Sequence, residues 1–300
     1  LLTEAGFTAQ LFVFPNGEKS KVRKTKEEVE DAMLAAGFRR DCCIIAVGGG
    51  VVTDLAGFVA GTFGRGIPFL NYATTLLAAA DASIGGKTAV DTPLATNLIG
   101  LFNQPKKVYI DIASWKTLPK RQLVSGLAET IKHACMADIE FFAYLEDHMD
   151  DIFAFKPEVL EHVAEQNCRI KYEVVMKDEL EKSLREILNL GHTVGRAIET
   201  VSGYQLLHGE ALGIGLTAEV RLGNSYRVVS LLKKAGLPTE IPDYIDREEL
   251  IHKLYTDKKV RDGKLRFVFQ KGIGAVMEFE NGSYARMVSE EDARRIIEEM

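Results

Sequence analysis

The sequence predicts an α/β unit with a Rossmann-like parallel sheet over residues 1–113, followed by a mostly α-helical unit over residues 114–300. Three observations carry this expectation. Short apolar runs alternate with helical patterns through the first part, the rhythm of a parallel sheet with crossover helices. One apolar run ends in Gly48, Gly49 and Gly50, and a helical pattern follows at once. Beyond Leu118 the helical period dominates.

Element by element, residues 9–14 read as a strand closed by the turn Pro15, Asn16, Gly17, and residues 26–36 as a helix. Residues 42–47 form a continuous apolar run, the pattern of a parallel strand covered on both faces. Residues 51–60 are expected to be helical, with extended segments at 68–72 and 107–110. In the second unit the period predicts helices over 122–136, 139–148, 157–177, 184–201 and 209–224, then a strand at 264–269. The chain opens on its first strand with no βα unit before it, so the sheet is expected to lack its first strands.

Composition narrows the function classes. Three hundred residues, 46% of them hydrophobic, can bury a substantial core. A net charge of −6 argues against nucleic acid, and the basic run from Lys19 to Lys26, flanked by Glu18, Glu27 and Glu28, reads as a turn and solvated helix start. No stretch reaches the roughly 18 apolar residues of a membrane span, and no signal peptide is visible. Cys42, Cys43, Cys135 and Cys168 lack paired metal spacing. They suit a reducing compartment, so a cytoplasmic protein is expected.

The richest segment holds Glu181, Arg185, Asn189, His192 and Arg196, at steps of 4, 4, 3 and 4. On a helix over residues 181–200 these five would share one stripe, suited to an anionic, hydroxylated ligand beside a metal. A solvated face is the alternative, but Gly191 inside such a helix needs a packing or functional reason. The triple glycine suits a phosphate, since glycines admit close backbone approach and a helix start presents free N–H groups. A tight turn would use the same residues, and Asp54 in the helix's first turn also favours the dipole. Gly85, Gly86, Lys87 and Thr88 look like the end of a P-loop but lack its opening glycine, which excludes a nucleoside triphosphate site. Lys87 remains a cation near Asp81 and Asn97. Glu129, His192 and His208 are of the types that hold catalytic zinc, with Lys132 one turn after Glu129. Ordinary polar roles stay open for each of them. His133, His148, His162 and His252 read as structural.

These blocks together resemble the 3-dehydroquinate synthases, within the wider sugar phosphate cyclases. The likeness runs from Gly48 to Phe58, through Arg65 to Pro68, Thr74 to Leu77, Asp81 to Thr88 and Gly126 to Glu129 with Lys132. It resumes at Leu188 to Thr193, Leu207 to Glu210, Asp257 to Lys259, and Gly263 with Lys264. The resemblance implies a lyase that cyclises a seven-carbon keto-acid sugar phosphate (DAHP) to 3-dehydroquinate in the shikimate pathway. Phosphate leaves during transient NAD oxidation, β-elimination, re-reduction and aldol closure. Carried over by position, Glu129, His192 and His208 would ligate zinc or cobalt. Glu18, Lys21, Gly49, Gly50, Asp54, Thr74, Thr75, Asp81, Lys87, Thr96 and Thr117 would surround NAD. Asp81, Lys87, Asn97, Lys132, Lys171, Glu181, Arg185, Asn189, Arg196 and Lys259 would serve the sugar phosphate substrate. Arg65 would reach the substrate of a neighbouring subunit, which implies a homodimer.

The chain departs from the family pattern in places. Arg196 stands where a second histidine is usual, Thr96 where lysine is, and Ala82, Ala89 and Asp91 where Ser, Gly and Asn are. Arg196 keeps a cation but cannot shuttle protons near neutral pH. Thr96 removes a positive charge. Arg185 and Asn189 favour dehydroquinate chemistry, since relatives using uncarboxylated sugars tend to change there. The alternatives are another sugar phosphate cyclase, a metal-dependent polyol dehydrogenase, or a catalytically silent relative.

Overall fold

The computed structural model describes residues 2–221, 226–256, 265–279 and 282–300. The chain divides into two units, Leu1–Thr74 with Ala82–Asp111, and Thr75–Asp81 with Ile112–Met300.

The first unit contains α1 (Arg23–Ala35), β1 (Ile44–Gly48), α2 (Gly50–Thr62), β2 (Phe69–Ala73), β3 (Lys87–Thr92), β4 (Ala95–Phe102) and β5 (Lys107–Ile110). Strands β1, β2 and β5 form a parallel sheet in that order, with Ile44 opposite Phe69 and Leu70 opposite Lys107. Strands β3 and β4 make an antiparallel hairpin. Met33, Val59, Ala60, Phe63, Ile67 and Phe69 form the core beneath α1 and α2. Gly57 lets α2 come close to the hairpin, because a Cβ there would lie 2.4 Å from Thr88 Cγ2.

Two expectations fail here. Residues 9–14 carry no regular secondary structure and pair with no described strand, and Leu11 and Val13 are 85% and 81% exposed. An apolar run does not make a strand without a ladder partner. Strand β1 starts at Ile44, after Cys42 and Cys43. Ala46 is buried while Ile45 and Val47 are 44% and 58% exposed, so the strand is covered on one face rather than two.

In the second unit α3 (Lys120–Ala137) follows Pro119 and is buried continuously from Leu123 to Met136. Asp138 caps α4 (Ile139–Phe153) by accepting the Phe141 N–H at 2.9 Å. Helix α5 (Pro157–Lys177) opens on proline, whose missing N–H costs nothing at that position. Then come α6 (His192–Val201), α7 (His208–Arg221), α8 (Tyr226–Lys234) and α9 (Arg247–Thr256). Strands β6 (Leu265–Val268), β7 (Gln270–Gly272), β8 (Ala275–Val276) and β9 (Ala285–Val288) and helix α10 (Glu290–Glu298) complete the unit. Val194, Ile198, Ile214, Leu250, Phe267 and Ile297 belong to one apolar core that ties α6 and α7 to α9, β6 and α10. Each such side chain contributes roughly 1.5–3 kcal/mol by leaving water.

The single helix expected over 181–200 is not formed. Glu181 has φ +56°, a 3-10 turn spans Leu184–Asn189, and the chain breaks at Leu190 and Gly191 before α6. Gly191 has φ +77°, and a Cβ there would lie 2.8 Å from Leu216 Cγ, so both conformation and packing require glycine. The five polar residues therefore sit on three local structures rather than on one stripe.

Candidate functional site

Glu129 lies inside α3 and is fully buried, while His192 and His208 are the first residues of α6 and α7. Their Nε2 atoms approach the same oxygen, Glu129 Oε1, at 3.3 Å and 3.1 Å. Ligand atoms from all three residues lie within 4.8 Å of one another. The other ring nitrogens are committed. His192 Nδ1 is 3.3 Å from Leu190 O, which can only accept, and His208 Nδ1 is 3.3 Å from Glu199 Oε2. Each Nδ1 is thus held by an acceptor and each Nε2 faces the shared carboxylate, the arrangement that orients histidines for a metal. Three converging donors of this kind fit a divalent cation, with room in its coordination for a further oxygen.

Electrostatics around the cluster are strong. Burial would raise the Glu129 carboxyl, but Lys132 and His192 hold it well below the usual range. Burial and the Lys132 ammonium push His192 down to about 3. Burial opposes charge on His208 too, yet hydrogen bonds to Glu129 and Glu199 lift it to about 10. The opposite shifts show a shared carboxylate with one strongly favoured cationic neighbour.

Lys132 is 1% exposed, contacts Glu129 Oε2, and donates to Leu188 O at 2.9 Å. Lys171 donates to Asp81 Oδ1 at 2.6 Å and to the Asp81 carbonyl. Asp81 would be raised by burial, but Lys171 holds it far below the ordinary carboxylate value. It sits in a π-helical turn spanning Ala78–Ala82. Asp81 and Glu129 also lie within 4.8 Å of His133, but both carboxylates already face lysines, which leaves little for a second dication.

Arg185 is 1% exposed and donates to Glu179 O. Asn189 Nδ2 donates to Glu181 Oε1 at 3.1 Å. Asp178 organises this loop by accepting the N–H groups of Lys182, Ser183 and Arg185 at 2.8–3.0 Å. Arg196 follows His192 by one turn of α6, and its charge adds to the burial and Lys132 effects that keep His192 neutral. Lys259 lies outside the described residues. Asp178, Glu199 and Glu219 escaped the sequence reading. An Asp followed within a few residues by polar turn formers was the available signal for the first.

The nucleotide candidates of the first unit cluster partly. Helix α2 opens directly after β1, and a Cβ on Gly48 would lie 2.6 Å from Val52 Cγ2. The Thr74 N–H bonds Gly48 O at 3.0 Å, fixing the turn to the end of β2. Free N–H groups at the start of an apolar helix after a parallel strand fit a pyrophosphate. Lys21 is buried, contrary to the solvated reading of its basic run, and pairs with Glu18 at 2.6 Å and Asp54 at 3.2 Å. Asp91 accepts the Asn97 N–H at 2.8 Å, and partial burial pushes its carboxyl up to about 6. Lys87, Thr96 and Asn97 are exposed on the β3–β4 hairpin, and Arg65 is exposed with φ +70°. Residue 87 begins a strand rather than a helix, in keeping with the exclusion of a P-loop. In the second unit Thr75 Oγ1 accepts the Ala78 N–H at 3.1 Å and Thr117 Oγ1 donates to Ser114 O at 2.7 Å.

A parallel-sheet unit with a glycine turn, followed by a helical unit gathering one carboxylate and two imidazoles, is the architecture of the sugar phosphate cyclases. The solved 2-epi-5-epi-valiolone synthase of Streptomyces hygroscopicus, with NAD+ and Zn2+ bound, matches with TM-score 0.89 at 28% identity, over 99% of this chain and 84% of that one. The 3-dehydroquinate synthase of Pelobacter propionicus is 47% identical over 91% of this chain and 79% of its own length. That of Caldanaerobacter subterraneus is 43% identical over 92% and 80%. Residues 11–125 match the family model for the 3-dehydroquinate synthase N-terminal part and residues 126–260 that for the C-terminal part. The chain belongs to the 3-dehydroquinate synthase family.

Proposed function

We propose that the chain carries out the reaction for which its family is named, converting DAHP to 3-dehydroquinate and phosphate with NAD and zinc or cobalt. The observation that carries this is the convergence of His192 and His208 on Glu129 with both Nδ1 atoms already engaged. Support comes from relatives at 43% and 47% identity bearing that name, and from a solved neighbour with NAD+ and Zn2+.

On this reading Glu129, His192 and His208 hold the metal. The backbone of Gly49 and Gly50, with Lys21, Asp54 and the other nucleotide candidates, holds NAD. When bound, these groups supply a reversible hydride acceptor and a Lewis acid at the oxygen of the oxidised carbon. The chain's own side chains bind and orient. Arg185 and Asn189 recognise the carboxylated end of the substrate, and Lys132, Lys171 and Arg196 stabilise developing negative charge. Lys132 is held in place between Glu129 and Leu188 O. The substrate's own phosphate then takes the proton. We place Arg65 against the phosphate of a second copy, making the working form a homodimer, and the setting in the cytoplasm. Among the described residues no helix is long and apolar enough to cross a membrane.

The test is phosphate release by the NAD- and zinc-loaded chain. DAHP should release phosphate without net nicotinamide reduction. Release from sedoheptulose 7-phosphate alone would favour another cyclase, the reading supported by the valiolone synthase likeness. Net reduction would favour a polyol dehydrogenase.

A further inference from the structure

Glu219 is 1% exposed on α7, and its Oε2 accepts the Gly191 N–H at 2.7 Å. The peptide that supplies this N–H is the Leu190–Gly191 peptide, whose carbonyl accepts from His192 Nδ1 at 3.3 Å. One peptide group therefore stands between a buried carboxylate and a metal-competent imidazole. A carboxylate on the N–H end polarises the amide and makes its oxygen a better acceptor, which strengthens hydrogen bonds in series. It also fixes the plane of a peptide that must enter a left-handed residue, since Gly191 has φ +77°. The packing gives this peptide little alternative. A Cβ on Gly215 of α7 would lie 2.0 Å from Gly191 O, so α6 and α7 touch backbone to backbone here.

His208 is oriented directly by Glu199 at 3.3 Å. Among the described residues, the Nδ1 of His192 meets a neutral carbonyl. We propose that Glu219 is a positioning residue for His192, acting through the Leu190–Gly191 peptide to hold the ring and raise its strength as a metal ligand. The two histidines would then both answer to carboxylates, one directly and one across an amide. This inference rests on the metal reading given above.

The test is Co2+ and Zn2+ affinity of the metal-free full chain, read by the visible absorption of cobalt and by competition with a chelating dye. Glu219→Leu removes the acceptor and should weaken binding by about 10–100-fold, the usual effect of losing an outer partner of a metal-bound histidine. Glu219→Gln keeps an oxygen acceptor without charge, and should recover most but not all of that loss. In a His192→Ala background, Glu219→Leu should cause no further loss, which a general structural defect would not spare. Unchanged affinity in both Glu219 variants, or an equal loss in the His192→Ala background, would overturn the proposal. If Glu219→Leu does not fold, Glu219→Gln decides alone, with wild-type affinity and an unshifted cobalt spectrum as the contrary result. Failure of the metal reading looks different: the unmodified chain would bind neither ion, or His192→Ala would bind as well as it does.

Discussion

His208 Nε2 meets Glu129 Oε1 at 3.1 Å across 79 positions of sequence, and Glu199 holds the far nitrogen of the same ring at 3.3 Å. Glu199 therefore sets both the ring's tilt and its tautomer. Replacing it by alanine should lower zinc affinity by about 10–100-fold while leaving the helical content intact. Competition titration with circular dichroism on the same sample checks this, and an unchanged affinity would assign Glu199 to the surface.

Lys171 and Asp81 pair at 2.6 Å, with side chains 6% and 32% exposed. Lys171→Ala leaves a largely buried carboxylate without its cation, and should destabilise the chain by about 2 kcal/mol, tempered by the partial exposure of Asp81. Adding Asp81→Asn should return part of the loss. Urea unfolding of the two single variants and the double variant measures the coupling.

Gly191 separates the 3-10 turn from α6. Alanine there meets both a positive φ and the Leu212 and Leu216 side chains at 2.8–2.9 Å. The expected cost is about 2–3 kcal/mol, with weakened metal binding because His192 is the next residue. A thermal melt and a zinc titration should move together; loss of stability with full affinity would separate the two roles.

His133 is fully buried, and its Nδ1 faces Asn167 Oδ1 at 3.0 Å, while Asn167 in turn donates to Thr130. Burial first, and then Lys132, push its pKa from 6.5 down to about 4. A depressed value means that its contribution is complete above the unfolded pKa and is lost as pH falls through the folded one. The metal-free chain should therefore lose about 3 kcal/mol on this account between pH 6.5 and pH 4. His133→Asn keeps a donor toward Asn167 and should flatten that part of the stability profile, measured by urea unfolding at stepped pH. A parallel loss in both proteins would place the acid sensitivity elsewhere.

Much of this was legible locally. Helix α5 and strand β5 match the periodic runs at 157–177 and 107–110, because each begins at or just after a proline and stops before an aspartate. The failures share a cause, which is that partners are not written in the run itself. Residues 9–14 are mostly apolar, like a strand, but the ladder that would make them one is absent among the described strands. The stripe from Glu181 to Arg196 has helical spacing, yet the packing of Leu212 and Leu216 against Gly191 imposes a break that spacing cannot report. Glu129, His192 and His208 are separated by loops and helices, so residue type made them candidates and only likeness to a family assigned them to one metal before the fold joined them. Glu199 and Glu219 carry no local signal because their partners, a histidine ring and a peptide N–H, come from other segments.

The most direct test of the account is anomalous diffraction at the zinc edge from crystals grown with zinc. The account predicts one strong peak per chain, with Glu129 oxygen and the Nε2 atoms of His192 and His208 at about 2.0–2.2 Å from it. A chain with no peak among these three residues, or with its zinc held by other side chains, would contradict it.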